Sequence, residues 1–153
     1  MLQHPILAID HGDSRIGLAC TDPIGIAVHP LATIPRTTGI EDTLSYIKSK
    51  GFVEIVVGLP LLKDGSEGDS ATKARAFIKE LTSHLPNMKV TYVDERYSTV
   101  EASAKLHNAG IQMKKQKGII DQAAAMEILH RYLELNDEGF NELHPDMPDN
   151  FPR

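Results

Sequence analysis

The chain has 153 residues, 41% of them hydrophobic and 24% charged, the balance of a folded globular domain rather than of a disordered or membrane-embedded chain. A formal net charge of −5 excludes a protein that coats nucleic acid through overall basicity, although a carboxylate metal site adds negative charge that bound cations neutralise. The single cysteine, Cys20, excludes an internal disulfide and a cysteine-based zinc cluster.

In chain order, Pro5 to Asp10 and Ile16 to Cys20 are short apolar runs separated by His11-Gly12-Asp13-Ser14-Arg15, and polar turn residues with a glycine between such runs predict a hairpin. Ala27 to Ile34 is a third strand, with Pro23 and Gly25 marking the turn before it. Gly39 to Lys50 reads as a helix with Ile40, Leu44 and Ile47 on one face and Gly51 as its stop. Val53 to Leu59 is nearly continuous and β-branched, as expected of a central strand buried on both faces.

After the loop Pro60 to Gly68, Ala71, Ala74, Ile78, Leu81 and Leu85 recur at helical spacing, and Pro86 closes that helix. Val90 to Val93 is a short strand leading into Asp94-Glu95-Arg96. Ser98 or Thr99 can cap a further helix by satisfying its first free N–H groups. The last helix is expected from about Ile119 to Leu135, with Ile120, Ala124, Ile128 and Tyr132 on one stripe. The expected organisation is one domain over 1–137 and a loose, acidic, proline-bearing tail over 138–153.

Three strands, helix, strand, helix, strand and two helices predict an α/β fold. The expected sheet is mixed and five-stranded, three antiparallel strands followed by βαβ crossovers, with helices on both faces. Ligands of such sheets collect near strand ends. Asp10 and the pair Asp94-Glu95 stand at two such ends.

Divalent-metal hydrolysis of a phosphodiester needs carboxylates from distant segments to converge on one or two Mg²⁺ or Mn²⁺ ions. Asp10 follows the first run, Glu95 follows the last strand, and Asp121 is expected in the opening turn of the last helix. Each also has an ordinary reading: a turn starter at Asp10, a partner of Arg96 at Glu95, and a helix-dipole acid at Asp121. Adjacent strand residues face opposite ways, so one of Asp94 and Glu95 faces the same side as Asp10.

Four segments together resemble the YqgF/RuvX family, described as Holliday junction resolvases and as pre-16S rRNA processing nucleases. They are Asp10-His11-Gly12-Asp13-Ser14-Arg15-Ile16-Gly17-Leu18-Ala19, Val57-Gly58-Leu59-Pro60 with Asp64 to Gly68, Asp94-Glu95-Arg96-Tyr97-Ser98-Thr99, and Lys114 to Lys117 leading into Asp121-Gln122-Ala123-Ala124-Ala125. The resemblance spans roughly residues 6–135. It implies an RNase H-like fold and catalytic, metal-binding acids at Asp10, Glu95 and Asp121, favouring Glu95 over Asp94.

Arg15, Arg96 and the run Lys114, Lys115, Lys117 are candidate contacts for a phosphate backbone. Arg96 could equally pair with one of the acids, and the lysines could be a solvated loop. The expected partner is structured RNA or branched DNA. A monomer suffices for RNA, whereas two symmetric cuts in a junction call for a homodimer.

No stretch approaches the ~20 apolar residues of a membrane span. Met1 to Asp10 lacks the pattern of an export signal, so a cytoplasmic protein is expected. Two other readings stand beside the nuclease. One is a non-catalytic binding module that keeps the acids. The other is a fragment of an actin-like ATPase or sugar kinase, which opens with a comparable Asp-x-Gly hairpin but is built from two lobes.

Overall fold

The computed structural model of the chain describes residues 3–95 and 113–136. Strands β1 (Ile6–His11), β2 (Arg15–Thr21) and β3 (Val28–Pro35) come first. A 3-10 turn (Arg36–Thr38), helix α1 (Gly39–Lys50), strand β4 (Glu54–Leu59), helix α2 (Asp69–Thr82), strand β5 (Lys89–Asp94) and helix α3 (Met113–Asn136) follow. The five strands form one sheet in the order β3-β2-β1-β4-β5. β1 pairs antiparallel with β2 and β2 antiparallel with β3, while β4 runs parallel to both β1 and β5. This is the mixed α/β sheet expected from the strand order.

Strand alternation sorts the apolar side chains into two layers. Leu7, Ile9, Ile16, Leu18, Ile55 and Val57 face α1 and α2, where they meet Ile47, Phe77, Ile78 and Leu81. Ile6, Ala8, Ala19, Val56 and Val93 face the other way and pack under Ala125, Ile128, Leu129 and Tyr132 of α3. Burying an aliphatic side chain of this size stabilises by about 1.5–3 kcal/mol, so both layers commit the register of β1 and β4. A one-residue slip would exchange the layers.

α1 has the bounds read from its sequence and ends at Gly51, whose φ of 70° is left-handed, a conformation glycine adopts without cost to a Cβ. α3 differs from expectation: it starts at Met113 rather than Ile119. Apolar periodicity locates a helix only where one face is buried, and Lys114, Lys115, Gln116 and Lys117 carry no such stripe. Their straight side chains are nonetheless good helix formers. Hence the lysine run lies in the first turns of α3 rather than in a loop, and Asp121 stands in the third turn rather than the first. The helix expected after Ser98 or Thr99 and the tail over 138–153 lie outside the described residues.

Candidate functional site

The site grows from one row of residues across the sheet. Asp10 is paired with Gly17 on β2. On its other side β1 is in register with β4 through Ile9 and Val57, so the next residue of β4, Gly58, flanks Asp10 as well. All three face α3, as Ala8, Ala19 and Val56 do two positions away on their strands. A carboxylate between two glycines has room above it for groups that a side chain would displace.

Two groups use that room. An added Cβ at Gly58 would stand 2.0 Å from Oε2 of Glu95 and 2.3 Å from Cδ1 of Ile128, so the Glu95 carboxyl occupies the space above β4. An added Cβ at Gly17 would stand 2.0 Å from the carbonyl oxygen of Asp121, so the backbone of α3 rests directly on β2. Ala124 and Ala125, both fully buried, keep the next turn of α3 equally close to the sheet. The nitrogen of Gln122 donates to the Thr33 hydroxyl at 3.1 Å, tying the helix to β3.

Glu95 follows the last residue of β5, and its backbone N–H donates to the Leu59 carbonyl. It continues the alternation Thr91, Val93, Glu95 and so points to the α3 face. The carbonyl of Asp94 accepts from the Arg131 guanidinium. The carboxyls of Asp10 and Glu95 hydrogen-bond to one another, with Glu95 as the donor. Both are 9% exposed.

Burial, followed by the Glu95 hydrogen bond and the Asp121 charge, leaves Asp10 at about 6. Burial first and the neighbouring Asp10 second push Glu95 up to about 10, against the opposing pull of Arg131. The physical content is a dyad that cannot carry two charges side by side. Near neutral pH it holds one proton.

Asp121 is near enough to raise Asp10 electrostatically, but its Oδ2 accepts from Nε of Arg15 at 2.6 Å. No group of three or more His, Cys, Asp or Glu among the described residues is gathered as a metal cage. The predicted residues therefore divide. Asp10 and Glu95 are in contact, Asp121 lies over the same row but is held by Arg15, and Arg15 binds an acid of the site. Arg96 and the side chains of Lys114, Lys115 and Lys117 lie outside what is described.

Gly58, part of the Val57-Gly58-Leu59-Pro60 segment that carries the resemblance, makes room for the Glu95 carboxyl. Sequence reasoning passed over Gly17 and Gly58 as packing partners, Arg131 as a neighbour of Glu95, and Glu54. Glu54 is a second buried acid on the α3 face, at the far end of β4, 3% exposed. Its Oε2 accepts from Thr91 at 3.0 Å and from the Tyr132 hydroxyl, and Lys89 lies 3.6 Å away. Tyr132 falls on the predicted stripe of α3, but nothing in the sequence marks Glu54 as its partner.

A mixed five-stranded sheet of this order, with helices on both faces and a buried carboxyl pair at its edge, defines an α/β protein of the RNase H-like fold. A solved structure of RuvC from T. thermophilus in complex with a Holliday junction substrate superposes with a TM-score of 0.50 over 87% of this chain and 96% of that one, at 10% identity. That likeness speaks for the fold.

The family model for RuvX, described as Holliday junction resolvase, matches residues 4–135, and the chain belongs to that family. A relative from Kineococcus radiotolerans named "Putative pre-16S rRNA nuclease" is 40% identical over 137 residues, 87% of this chain and 73% of its own length. One of the same name from Porphyromonas gingivalis is 37% identical over 134 residues, covering 86% of this chain and 97% of its own. No helix among the described residues is long and apolar enough to cross a membrane.

Proposed function

We propose that this chain is a metal-dependent nuclease that hydrolyses phosphodiester bonds of structured nucleic acid, with Asp10, Glu95 and Asp121 as its catalytic, metal-binding acids. The observation that carries the reading is the pairing of two buried carboxyls, Asp10 and Glu95, on the face of the sheet that α3 covers. Two buried carboxyls in contact are unfavourable as a dianion, and a divalent cation is the natural replacement for the proton between them. The donor set, all carboxylate oxygen, suits Mg²⁺ or Mn²⁺. Bound there, the cation would neutralise charge on the attacked phosphate and supply an activated water.

The chain's own residues have distinct tasks in this reading. Asp10 and Glu95 would hold the cation in place of the proton between them. Asp121, bonded to Arg15 in the structure, would complete the donor set, and Arg15 would then be free to hold a phosphate oxygen with its guanidinium fork. Arg96, Lys114, Lys115 and Lys117 extend the phosphate contact along the strand, and Gly17 and Gly58 keep the approach open. The substrate we favour is precursor 16S rRNA, cut toward the 5′ end of the mature sequence, because the relatives named above carry that name over nearly the whole chain. A four-way DNA junction is the competing substrate. Such a protein would work in the cytoplasm, as a monomer on RNA or as a homodimer on a junction.

The test is incubation with Mg²⁺ or Mn²⁺ and labelled precursor 16S rRNA, single-stranded RNA and four-way DNA junction. Preferential cutting of the precursor supports the reading as stated. Preferential cutting of the junction moves it to recombination. No cutting of any substrate in either metal would overturn it.

A further inference from the structure

On the sheet face opposite the carboxyl pair, α1 and α2 enclose a cleft of about 520 Å³, a size that accepts a small ligand. Its floor includes His11, the residue after Asp10, which alternation turns to this face. His11 is 7% exposed, its ring lies 5.0 Å from that of Phe77, and no other described residue hydrogen-bonds its ring. A buried imidazole facing a cleft without such a partner is a polar group available to a ligand.

The cleft is polar at both ends. Both helices begin at the sheet edge where β1 and β4 end, so Arg36, before α1, and Lys73, in the first turns of α2, meet His11 at that edge. Their charges act on His11 directly. Arg36 also donates to the Asp13 carbonyl at 3.0 Å, and Lys73 lies 3.7 Å from the exposed Asp13 carboxylate. Glu80 lies seven residues further along α2, about 10 Å down its axis, and lines the other end of the cleft. Ile40, Ala76 and Phe77 give the space between an apolar lining.

We infer that this cleft binds a nucleotide unit, with its phosphate at His11, Arg36 and Lys73 and its base over Phe77. Arg36 and Lys73 supply fixed charge and His11 a donor for phosphate oxygens. Phe77, largely buried in the core beneath the cleft, joins Ile40 and Ala76 as an apolar floor for the base. The Glu80 carboxylate can accept from a base amino group. The phosphate could be that of a free mononucleotide or of a strand lying across the sheet edge. The site does not depend on the carboxyls being catalytic.

The experiment is calorimetric titration in EDTA of guanosine 5′-monophosphate, guanosine and a short single-stranded RNA into the full chain, its Arg36→Glu/Lys73→Glu variant and its Asp10→Asn variant. Both replaced side chains are on the surface, and matching thermal melts would establish that the double variant is folded. The nucleotide is expected to bind about tenfold or more tightly than the nucleoside. The double variant should lose that advantage, and Asp10→Asn should keep it. A loss confined to the RNA would assign the phosphate to a strand, within the same site. The inference is overturned if neither nucleotide nor RNA is weakened by the double variant, or if Asp10→Asn abolishes nucleotide binding equally. Failure of cleavage with nucleotide binding intact would count against the proposed function alone.

Discussion

The backbone of Asp121 rests on Gly17, the β2 residue paired with Asp10, with its carbonyl oxygen 2.0 Å from where an alanine Cβ would stand. This contact brings the last helix over the first strand, two segments more than a hundred residues apart. Gly17→Ala must therefore part α3 from the sheet. Overpacking of this kind costs about 1–3 kcal/mol, a drop of roughly 2–10 °C in the thermal midpoint for a chain of this size. Thermal melts should show the loss, and cleavage should fall further than stability, because Asp121 moves with the backbone. A variant with wild-type melting and activity would contradict the contact.

In the proposed reading, Arg15 and a cation compete for Asp121. The pair is partly exposed, 40% at Arg15 and 17% at Asp121, so the bond contributes no more than about 1 kcal/mol. Arg15→Gln removes both the competitor and a positive charge beside the site. Mn²⁺ binding followed by electron paramagnetic resonance should tighten by up to about fivefold, while binding of nucleic acid weakens. Weaker Mn²⁺ binding in the variant would mean that Arg15 supports the acids rather than restraining one of them.

The dyad also makes stability depend on pH in a definite direction. Glu95 keeps its proton in the fold up to about 10, whereas the unfolded chain releases it near 4.5, the ordinary value. The folded state binds more protons in that window, so the contribution of Glu95 is complete below the ordinary value and is lost as pH rises toward 10. The limiting slope for one group is about 1.4 kcal/mol per pH unit. Glu95→Gln keeps a donor toward Asp10 but cannot ionise. Its melting temperature relative to the native chain should rise steadily from pH 5 to pH 9. A difference independent of pH would rule out the shared proton.

Glu54 supplies the internal comparison. It is as buried as Glu95 and faces the same helix, but it is bound by Tyr132 and Thr91 at the opposite end of β4. Tyr132→Phe should cost about 1–3 kcal/mol, because it takes a hydrogen-bond donor from the buried Glu54 carboxyl, and leave cleavage per folded molecule unchanged. Urea unfolding and activity measured on the same samples would separate the two effects. A selective loss of activity would assign Glu54 a part in the chemistry.

Most of the architecture was legible because alternation and β-branching are local signals. Ile6 to Ile9 and Ile55 to Val57 mark two central strands, and Gly39 to Lys50 marks its helix to the residue. The start of α3 was hidden because Lys114 to Lys117 contain no apolar residue for periodicity to detect. Asp10, Glu95 and Asp121 could be named from the family resemblance, but not their states. The proton between Asp10 and Glu95 depends on Gly58 leaving space, and the Arg15 bond to Asp121 joins residues whose separation in sequence carries no signal. Glu54 was missed for a related reason: a buried acid at a strand start looks like any surface acid until its partner from α3 is known.

The most direct test of the central claim is the rate of Mn²⁺-dependent cleavage of one substrate by the native chain, by Asp10→Asn and by Glu95→Gln, each first verified as folded. The native chain should cleave, EDTA should abolish cleavage, and both variants should lose it together with Mn²⁺ binding. Cleavage by Asp10→Asn at the native rate would place the chemistry elsewhere in the chain and overturn the assignment of the acids.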